Sequence, residues 1–228
     1  NADDPVLKEY TEKYPINCNI QSFSLDNEDS YAYIKEGYMW VKNEKVLPLD
    51  AIKIVGKHNK QNIIISIMVA KALGISNEDI IETISNFNGV EHRIEFVREI
   101  DGVKYYNDSK GTNTDASITA LEAFNENIIL LVGGFEKGLD MSEMRKHLQN
   151  VKKIIGYGIA GYRIAHDLVD DPIIVEKLDE AVLEAKKYAT KGDVVLLSPT
   201  TSSFDQYSGY EERGRHFKSI VNSLWTSI

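Results

Sequence analysis

Four polar clusters in this chain hold side chains able to bind an anion or handle a phosphoryl group. Each falls where an apolar strand ends or a helix begins. Asn107-Asp108-Ser109-Lys110-Gly111-Thr112-Asn113 sets a carboxylate, an ammonium and two hydroxyls in one strand-to-helix turn. Asp108 could accept from ribose hydroxyls or hold a metal there, and Lys110 could neutralise a phosphate. As a plain turn, the same segment would use Thr112 or Asn113 as a helix cap. Gly133-Gly134-Phe135-Glu136-Lys137-Gly138 directly follows the apolar run 128–132. Its glycines admit a ligand close to the backbone, and Lys137 offers a cation to a carboxylate or phosphate. Ser198-Pro199-Thr200-Thr201-Ser202-Ser203 releases five hydroxyls from an apolar strand, a composition suited to a small carboxylate. A nucleophilic serine would call for a G-x-S-x-G elbow, which the sequence lacks. The fourth cluster, Gly56-Lys57-His58-Asn59-Lys60-Gln61-Asn62, opens a helix whose first N–H groups favour anions or polar ligands. Asn59 and Asn62, three apart, share a face of that helix. Asn59 could equally be its cap.

A further motif points elsewhere. Gly156-Tyr157-Gly158-Ile159-Ala160-Gly161 fits G-x-G-x-x-G between a strand and a helix, with Glu176 placed to reach a ribose. This supports an alternative, an NAD(P)-binding oxidoreductase built on Gly156, Gly158 and Gly161. Against it, the motif lies midway through the series of strands and helices, and such glycines also serve to pack a helix on a strand. No G-x-x-x-x-G-K-[ST] occurs in the 228 residues, so the usual triphosphate cradle is missing. The five histidines show no H-x-x-x-H spacing and Cys18 is alone, so no histidine-built or cysteine-based metal site is expected.

The elements that must carry these clusters begin with a helix after Pro5, with Tyr10 and Tyr14 as core or boundary aromatics, like Tyr31 and Tyr33. A hairpin joins 31–34 to 38–41 through Glu36-Gly37. Helices come next at 59–74 and, from the cap Ser76, to about Phe87. A second hairpin joins 94–100 to 103–107 through Asp101-Gly102. Strands at 128–132, 154–157, 173–175 and 194–197 then alternate with helices near 113–124, 142–149, 161–169, 178–190 and 209–225. That alternation predicts α/β architecture: a doubly wound, mostly parallel, Rossmann-like sheet with ligands beyond the carboxyl ends of its strands. The boundary falls near 88–91, giving domains 1–90 and 91–228.

Composition narrows the class. A hydrophobic fraction of 43% with 27% charged residues is that of a globular protein able to bury a full core. The net charge of −9 argues against a nucleic-acid partner. No apolar run approaches the ~20 residues of a membrane span, and no signal peptide is visible, which places the expectation in the cytoplasm. The chain opens on Asn1-Ala2-Asp3-Asp4 with no initiator Met.

Taken together, the clusters resemble the Mur ligases, and within them the D-glutamate-adding branch. The matching pieces run in family order: Asn1-Ala2-Asp3-Asp4, Gly56-x-His58-Asn59-x-x-Asn62, His92-Arg93, Asn107 to Asn113, Gly133-Gly134-x-x-Lys137, and Leu196-Leu197-Ser198-Pro199 through Ser203-Phe204-Asp205-Gln206 to Glu212-Arg213-Gly214. The resemblance covers only the family's C-terminal half. It implies that 1–90 is the end of a central α/β ATPase domain whose P-loop part is missing, and that 91–228 is the C-terminal ligase domain. It also implies a fragment with no turnover of its own, from a protein that is monomeric when whole. Family members use ATP to phosphorylate the carboxylate of UDP-N-acetylmuramoyl-L-alanine, and the D-glutamate amine then attacks the acyl phosphate, a step of peptidoglycan synthesis. By resemblance Asn59 and Asn62 face the adenine nucleotide, Arg93 and Asp108 its phosphate or ribose part, and Lys110 the transferring phosphoryl group. Thr112 and Lys137 hold one D-glutamate carboxylate, and Ser203, Phe204 and Tyr210 hold and wall the other. The Mg2+ ligands belong to the missing half. Gly111 stands where the family often has alanine, which suggests a looser turn.

Overall fold

A computed structural model describes residues 1–225. The chain divides into two compact units, Asn1–Phe87 and the remainder from Asn88.

In the first unit α1 (Pro5–Lys13) starts as Asp4-Pro5 dictates. The Asp4 carboxylate accepts from the N–H groups of Val6 at 2.9 Å and Leu7 at 3.2 Å, with proline in the first turn. None of its residues is buried. Tyr10 and Tyr14 are therefore not core aromatics; they are exposed and lean on each other with ring centroids 4.6 Å apart. Strands β1 (Ala32–Lys35), β2 (Tyr38–Val41) and β3 (Glu44–Pro48) form an antiparallel meander. Its turns, Glu36-Gly37 and Lys42-Asn43, hold all four residues at positive φ, the twist that suits two-residue hairpins. The sequence reading misses β3, which opens on Glu44-Lys45 after a turn without glycine. Helices α2 (Lys57–Ala72) and α3 (Asn77–Asn86) bury Ile63, Ile64, Ile67 and Ile80 in one cluster with Met39, Val41 and Leu47. Ser76 caps α3, accepting from the N–H of Asp79 at 3.1 Å. Ile65 and Val69 of α2 and Leu73 just beyond its end stay exposed, an apolar row at four-residue spacing.

The second unit is a six-stranded sheet. Strands β4 (Glu95–Ile100) and β5 (Val103–Asn107) form the hairpin expected from Asp101-Gly102. Then come β6 (Ile128–Gly133), β7 (Val151–Tyr157), β8 (Ile173–Ile174) and β9 (Val194–Leu197). The order is β4-β5-β9-β6-β7-β8, and every pairing beyond the first hairpin is parallel. Strands covered on both faces must be apolar throughout, and β6 is buried at all six positions. Helices α4 (Thr114–Leu121), α5 (Gly161–Leu168), α6 (Leu178–Tyr188) and α7 (Tyr210–Ser223) complete the unit. Ile129, Leu131, Val195 and Leu197 share a core with Ala181 and Val182 of α6 and Phe217 and Val221 of α7. The helix expected at 142–149 is instead one 3-10 turn, Met144–His147.

The last strand in sequence, β9, lies in the middle of the sheet between β5 and β6. Its placement sets the carboxyl ends of β5, β9, β6 and β7 side by side, so their loops meet along one edge. Leu131 sits at the centre of this layer with no exposed surface. Leu131→Ala is expected to cost about 2–5 kcal/mol of stability in urea unfolding of the chain. A loss below about 1 kcal/mol would contradict this packing.

Candidate functional site

Two turns are stapled together at one end of the edge. Because β4 pairs antiparallel with β5, Glu95 stands opposite Asn107, and the turn before β4 lies against the turn after β5. The Lys110 N–H donates to the His92 carbonyl at 3.0 Å, and the Ile94 N–H donates to Asp108 Oδ1 at 3.2 Å. Asn107 Nδ2 bonds His92 Nδ1 at 2.9 Å and Glu95 Oε2 at 3.0 Å. His92 and Ile94 both have positive φ, a strained state for a β-branched residue, and these bonds hold it. Arg93 and Lys110, both exposed, project from the stapled pair.

Lys218 of α7 reaches Glu91 Oε1 at 2.8 Å and Glu95 Oε1 at 2.7 Å. Glu91, His92 and Glu95 present ligand atoms within 4.8 Å of one another. They do not fit a divalent cation, because the Lys218 ammonium already bridges the two carboxylates. Burial holds the His92 imidazole below its usual range, against the pull of Glu91 and Glu95.

Asp108 faces inward. It is 4% exposed, its Oδ2 accepts from Ser198 Oγ at 2.8 Å, and that hydroxyl also meets Ser117 Oγ at 2.8 Å. Burial pushes its carboxyl up to about 7, against the hydrogen bonds from Ser198 and Ile94 and the nearby Arg93 and Arg213. A carboxylate so engaged does not present itself to a ribose or a metal. Nor is Gly111 a looser turn: a Cβ there would lie 2.3 Å from Asp108 Oδ2. Of the two expected caps, Asn113 takes the role, accepting from the N–H of Ala116 at 2.8 Å.

Arg213 joins the loops. It is fully buried in the first turn of α7, and its guanidinium donates to Ser109 Oγ and Ser109 O, both at 2.9 Å, to Thr201 O at 3.1 Å and to Gly133 O at 3.5 Å. One planar group thus ties the ends of β5, β9 and β6. Gly134 has φ +135, and a Cβ on it would strike Ser202 O at 2.3 Å. The 134 and 202 segments can approach this closely only through glycine.

On the carboxylate side, Lys137 Nζ donates to the Thr112 carbonyl at 3.3 Å, so these two residues come together from different loops. The hydroxyls of Ser202 and Ser203 are buried and have no hydrogen-bond partner among the described residues. Phe204 is exposed. Tyr210 opens α7, its ring 5.8 Å from Lys110 Nζ and its carbonyl accepting from Ser109 Oγ at 2.8 Å. Asn59 and Asn62 lie in the first unit, in the opening turns of α2. That helix starts at Lys57 behind Gly56, so Asn59 is not its cap; its Nδ2 donates to Val55 O at 2.7 Å.

The G-x-G-x-x-G segment carries no dinucleotide site. Gly156 and Gly161 are in mutual backbone contact, where a Cβ on Gly156 would meet Gly161 O at 2.4 Å. The N–H groups that would cradle a pyrophosphate are engaged. Ile159 donates to Asp205 Oδ2 at 3.3 Å, Ala160 to Gly134 O at 2.9 Å and Gly158 to Glu176 O at 3.1 Å. The oxidoreductase alternative is therefore set aside.

Sequence reasoning quoted Arg213, His92, Asn107 and Ser198 within its motifs but gave none of them a role of its own in the site. For Arg213 a signal existed: it lies four and eight residues before Phe217 and Val221, on the buried stripe of α7. An arginine on such a stripe needs acceptors. No comparable pattern marks the others.

The chain matches the family described as Mur ligase, glutamate ligase domain, over residues 92–201. It is 41% identical over 232 residues to the UDP-N-acetylmuramoylalanine--D-glutamate ligase of Caldanaerobacter subterraneus subsp. tengcongensis, covering 98% of this chain and 51% of that protein. The protein of the same name from Alkaliphilus metalliredigens is 47% identical over 188 residues, covering 80% of this chain and 41% of the relative. The chain spans about half the length of the curated relatives it matches. Among solved structures, the MurF ligase of Thermotoga maritima in complex with ADP superposes with a TM-score of 0.62 at 20% identity, covering 96% of this chain and 52% of that one. The UDP-N-acetylmuramate-alanine ligase MurC of Thermotoga maritima does so at 0.61 and 18%, over 89% and 48%. At these identities the likeness is one of fold.

The buried polar groups have measurable consequences. The Asp108 carboxyl keeps its proton in the folded chain to about pH 7, while its ordinary value is 3.8. The unfolded chain binds fewer protons across that window, so this group makes stability fall as pH rises from about 4 to 7. Asp108→Asn removes the contribution. Relative to the parent, the variant is expected to gain about 2–4 kcal/mol between those pH values in urea titrations. An unchanged difference across the window would contradict the burial of this carboxyl. Arg213→Met leaves four acceptor contacts without their donor and is expected to cost about 3 kcal/mol. Arg213→Lys should recover less than half of that, since an ammonium cannot span the fork.

Proposed function

The chain belongs to the Mur ligase family, and from that premise we propose that it is part of an ATP-dependent ligase joining D-glutamate to UDP-N-acetylmuramoyl-L-alanine in peptidoglycan synthesis. The observation that carries this reading is the meeting of Lys137 with Thr112 across the carboxyl edge of the sheet, beside a frame that carries Lys110 and Arg93. The names of the curated relatives support the choice of substrate.

In this reading ATP transfers its terminal phosphoryl group to the substrate carboxylate. The D-glutamate amine then attacks the acyl carbon, the C–N bond forms, and the bond to the phosphate oxygen breaks to release phosphate. The residues of this chain neutralise, orient and exclude water. Lys110 meets the transferring phosphoryl oxygens, and Arg93 the nucleotide phosphates. Asp108, taken up inside the protein, keeps the turn that carries Lys110 in shape, so the nucleotide contact at this edge falls to Arg93. Thr112 and Lys137 receive one carboxylate of D-glutamate. Ser203 receives the other, with Phe204 and Tyr210 as walls. Asn59 and Asn62, in the first unit, face the adenine, and that unit belongs to the ATP-binding part of the enzyme. Mg2+ would be held by residues outside this chain, in keeping with the bridged acidic cluster at Glu91 and Glu95.

Product formation from ATP, UDP-N-acetylmuramoyl-L-alanine and D-glutamate tests the reading in the whole polypeptide that carries this chain. Lys110→Ala is expected to lower kcat at least about a hundredfold. Lys137→Ala is expected to act mainly on the KM for D-glutamate. The isolated chain of 228 residues should form no product, having no triphosphate cradle. Turnover by the isolated chain, or full activity of both variants, would overturn the proposal.

A further inference from the structure

We infer that Arg163 is a positioning residue for Lys137: by taking both carboxylate oxygens of Glu136 it keeps Glu136 from becoming the counter-ion of Lys137. The inference rests on the reading of Lys137 as a carboxylate binder.

Arg163 lies on α5, an element that supplies none of the residues proposed to meet a ligand. Its Nε donates to Glu136 Oε2 and its Nη2 to Glu136 Oε1, each at 2.8 Å, a two-point fork. Its Nη1 donates to the Leu139 carbonyl at 3.1 Å and to Asp167 Oδ2 at 2.7 Å. Glu136 Oε1 also accepts from the Gly138 N–H at 2.5 Å. One guanidinium therefore grips the loop at residue 136 and again at residue 139, with Lys137 between the two grips. Asp167, one helical turn along α5, helps to fix the guanidinium in place.

The charges give the arrangement a purpose beyond tethering. Glu136 is the immediate neighbour of Lys137 and the nearest carboxylate in sequence to it. Left alone, its carboxylate could swing to the Lys137 ammonium and compete with an incoming carboxylate for the same cation. With both oxygens taken by Arg163, it does not. The hydrogen bonds from Arg163 hold the Glu136 carboxyl down to about 2, so it stays ionised and paired at any working pH. Lys137, exposed, keeps only the Thr112 carbonyl among the contacts described for it. The Arg163 and Glu136 side chains are 35% and 37% exposed, and pairs so open to water add little to fold stability. Breaking the pair should consequently be felt in binding before it is felt in folding.

Steady-state kinetics of the whole polypeptide test this, with ATP and D-glutamate varied separately. Arg163→Ala is expected to raise the KM for D-glutamate about tenfold, with the KM for ATP within about twofold of the parent. Adding Glu136→Gln to Arg163→Ala removes the competing anion and should bring the D-glutamate KM back to within about threefold. That rescue is the readout a purely structural role would not give, since the double variant has lost the whole clamp. If Lys137→Ala raises the D-glutamate KM while Arg163→Ala leaves it unmoved, the inference fails and the reading of Lys137 stands. A double variant as impaired as Arg163→Ala also overturns it. A Lys137→Ala enzyme with an unchanged D-glutamate KM overturns the reading of Lys137 and the inference together.

Discussion

The second unit depends on one buried cation. Taking a guanidinium out of water costs several kcal/mol unless its donors meet acceptors. Arg213 meets them, among the described residues, in the carbonyls of Ser109, Thr201 and Gly133 and the hydroxyl of Ser109 rather than in a forked carboxylate. Those carbonyls are available only because the loops after β5, β9 and β6 end side by side. That in turn requires the last strand of the chain to enter the middle of the sheet. The same demand explains the glycine at 134, where a Cβ would strike Ser202 O. Fold order, loop composition and the buried arginine are thus one constraint seen at three levels.

Around this frame the labour divides by exposure. Residues that hold shape are buried: Asp108 at 4%, Asn107, Ser109 and Ser198 at zero. The residues proposed to meet charged ligands, Arg93, Lys110 and Lys137, are exposed, and each stands on a loop tied by several bonds. A flexible ammonium on a fixed turn can follow a phosphoryl group without moving the backbone. The net charge of −9 is no obstacle, because the site relies on a few local cations rather than on a basic face.

Much of the second unit was legible in the sequence because its strands are doubly buried and read as plain apolar runs, 128–132 and 194–197 above all. The hairpin at Asp101-Gly102 announced itself through turn chemistry. The features that escaped depend on a distant partner. Asp108 reads as a ligand group, and only the arrival of Ser198, 90 residues later, shows its carboxylate to be taken up inside the protein. Gly111 reads as slack, yet a Cβ there would lie 2.3 Å from Asp108 Oδ2. Tyr10 and Tyr14 have core chemistry, yet both stay exposed and lean on each other. Likewise G-x-G-x-x-G has the right spacing for a cofactor, but Asp205, on a different loop, takes one of the N–H groups a pyrophosphate would need.

The hydroxyl run after β9 shows how far composition can be taken and where geometry must finish the argument. Five hydroxyls suggested a carboxylate site, but they are not equivalent. Ser198 is engaged by Asp108 and Ser117. Thr200, held at φ +63, donates to Pro199 O at 2.6 Å, and Thr201 donates to Phe135 O at 2.5 Å. The first three hydroxyls therefore build the loop, and the left-handed Thr200 redirects the chain before Ser202 and Ser203. Of the five, Ser202 and Ser203 are left without a partner among the described residues. A buried hydroxyl with no acceptor carries a desolvation cost that a hydrogen-bonding ligand would relieve. Of the two, Ser203 lies next to the exposed Phe204 and at the start of the turn leading to α7, where the N–H groups of Gln206 and Tyr207 already bond its carbonyl. Its backbone is fixed while its hydroxyl lacks a partner among the described residues, and the role proposed for Ser203 draws on that combination.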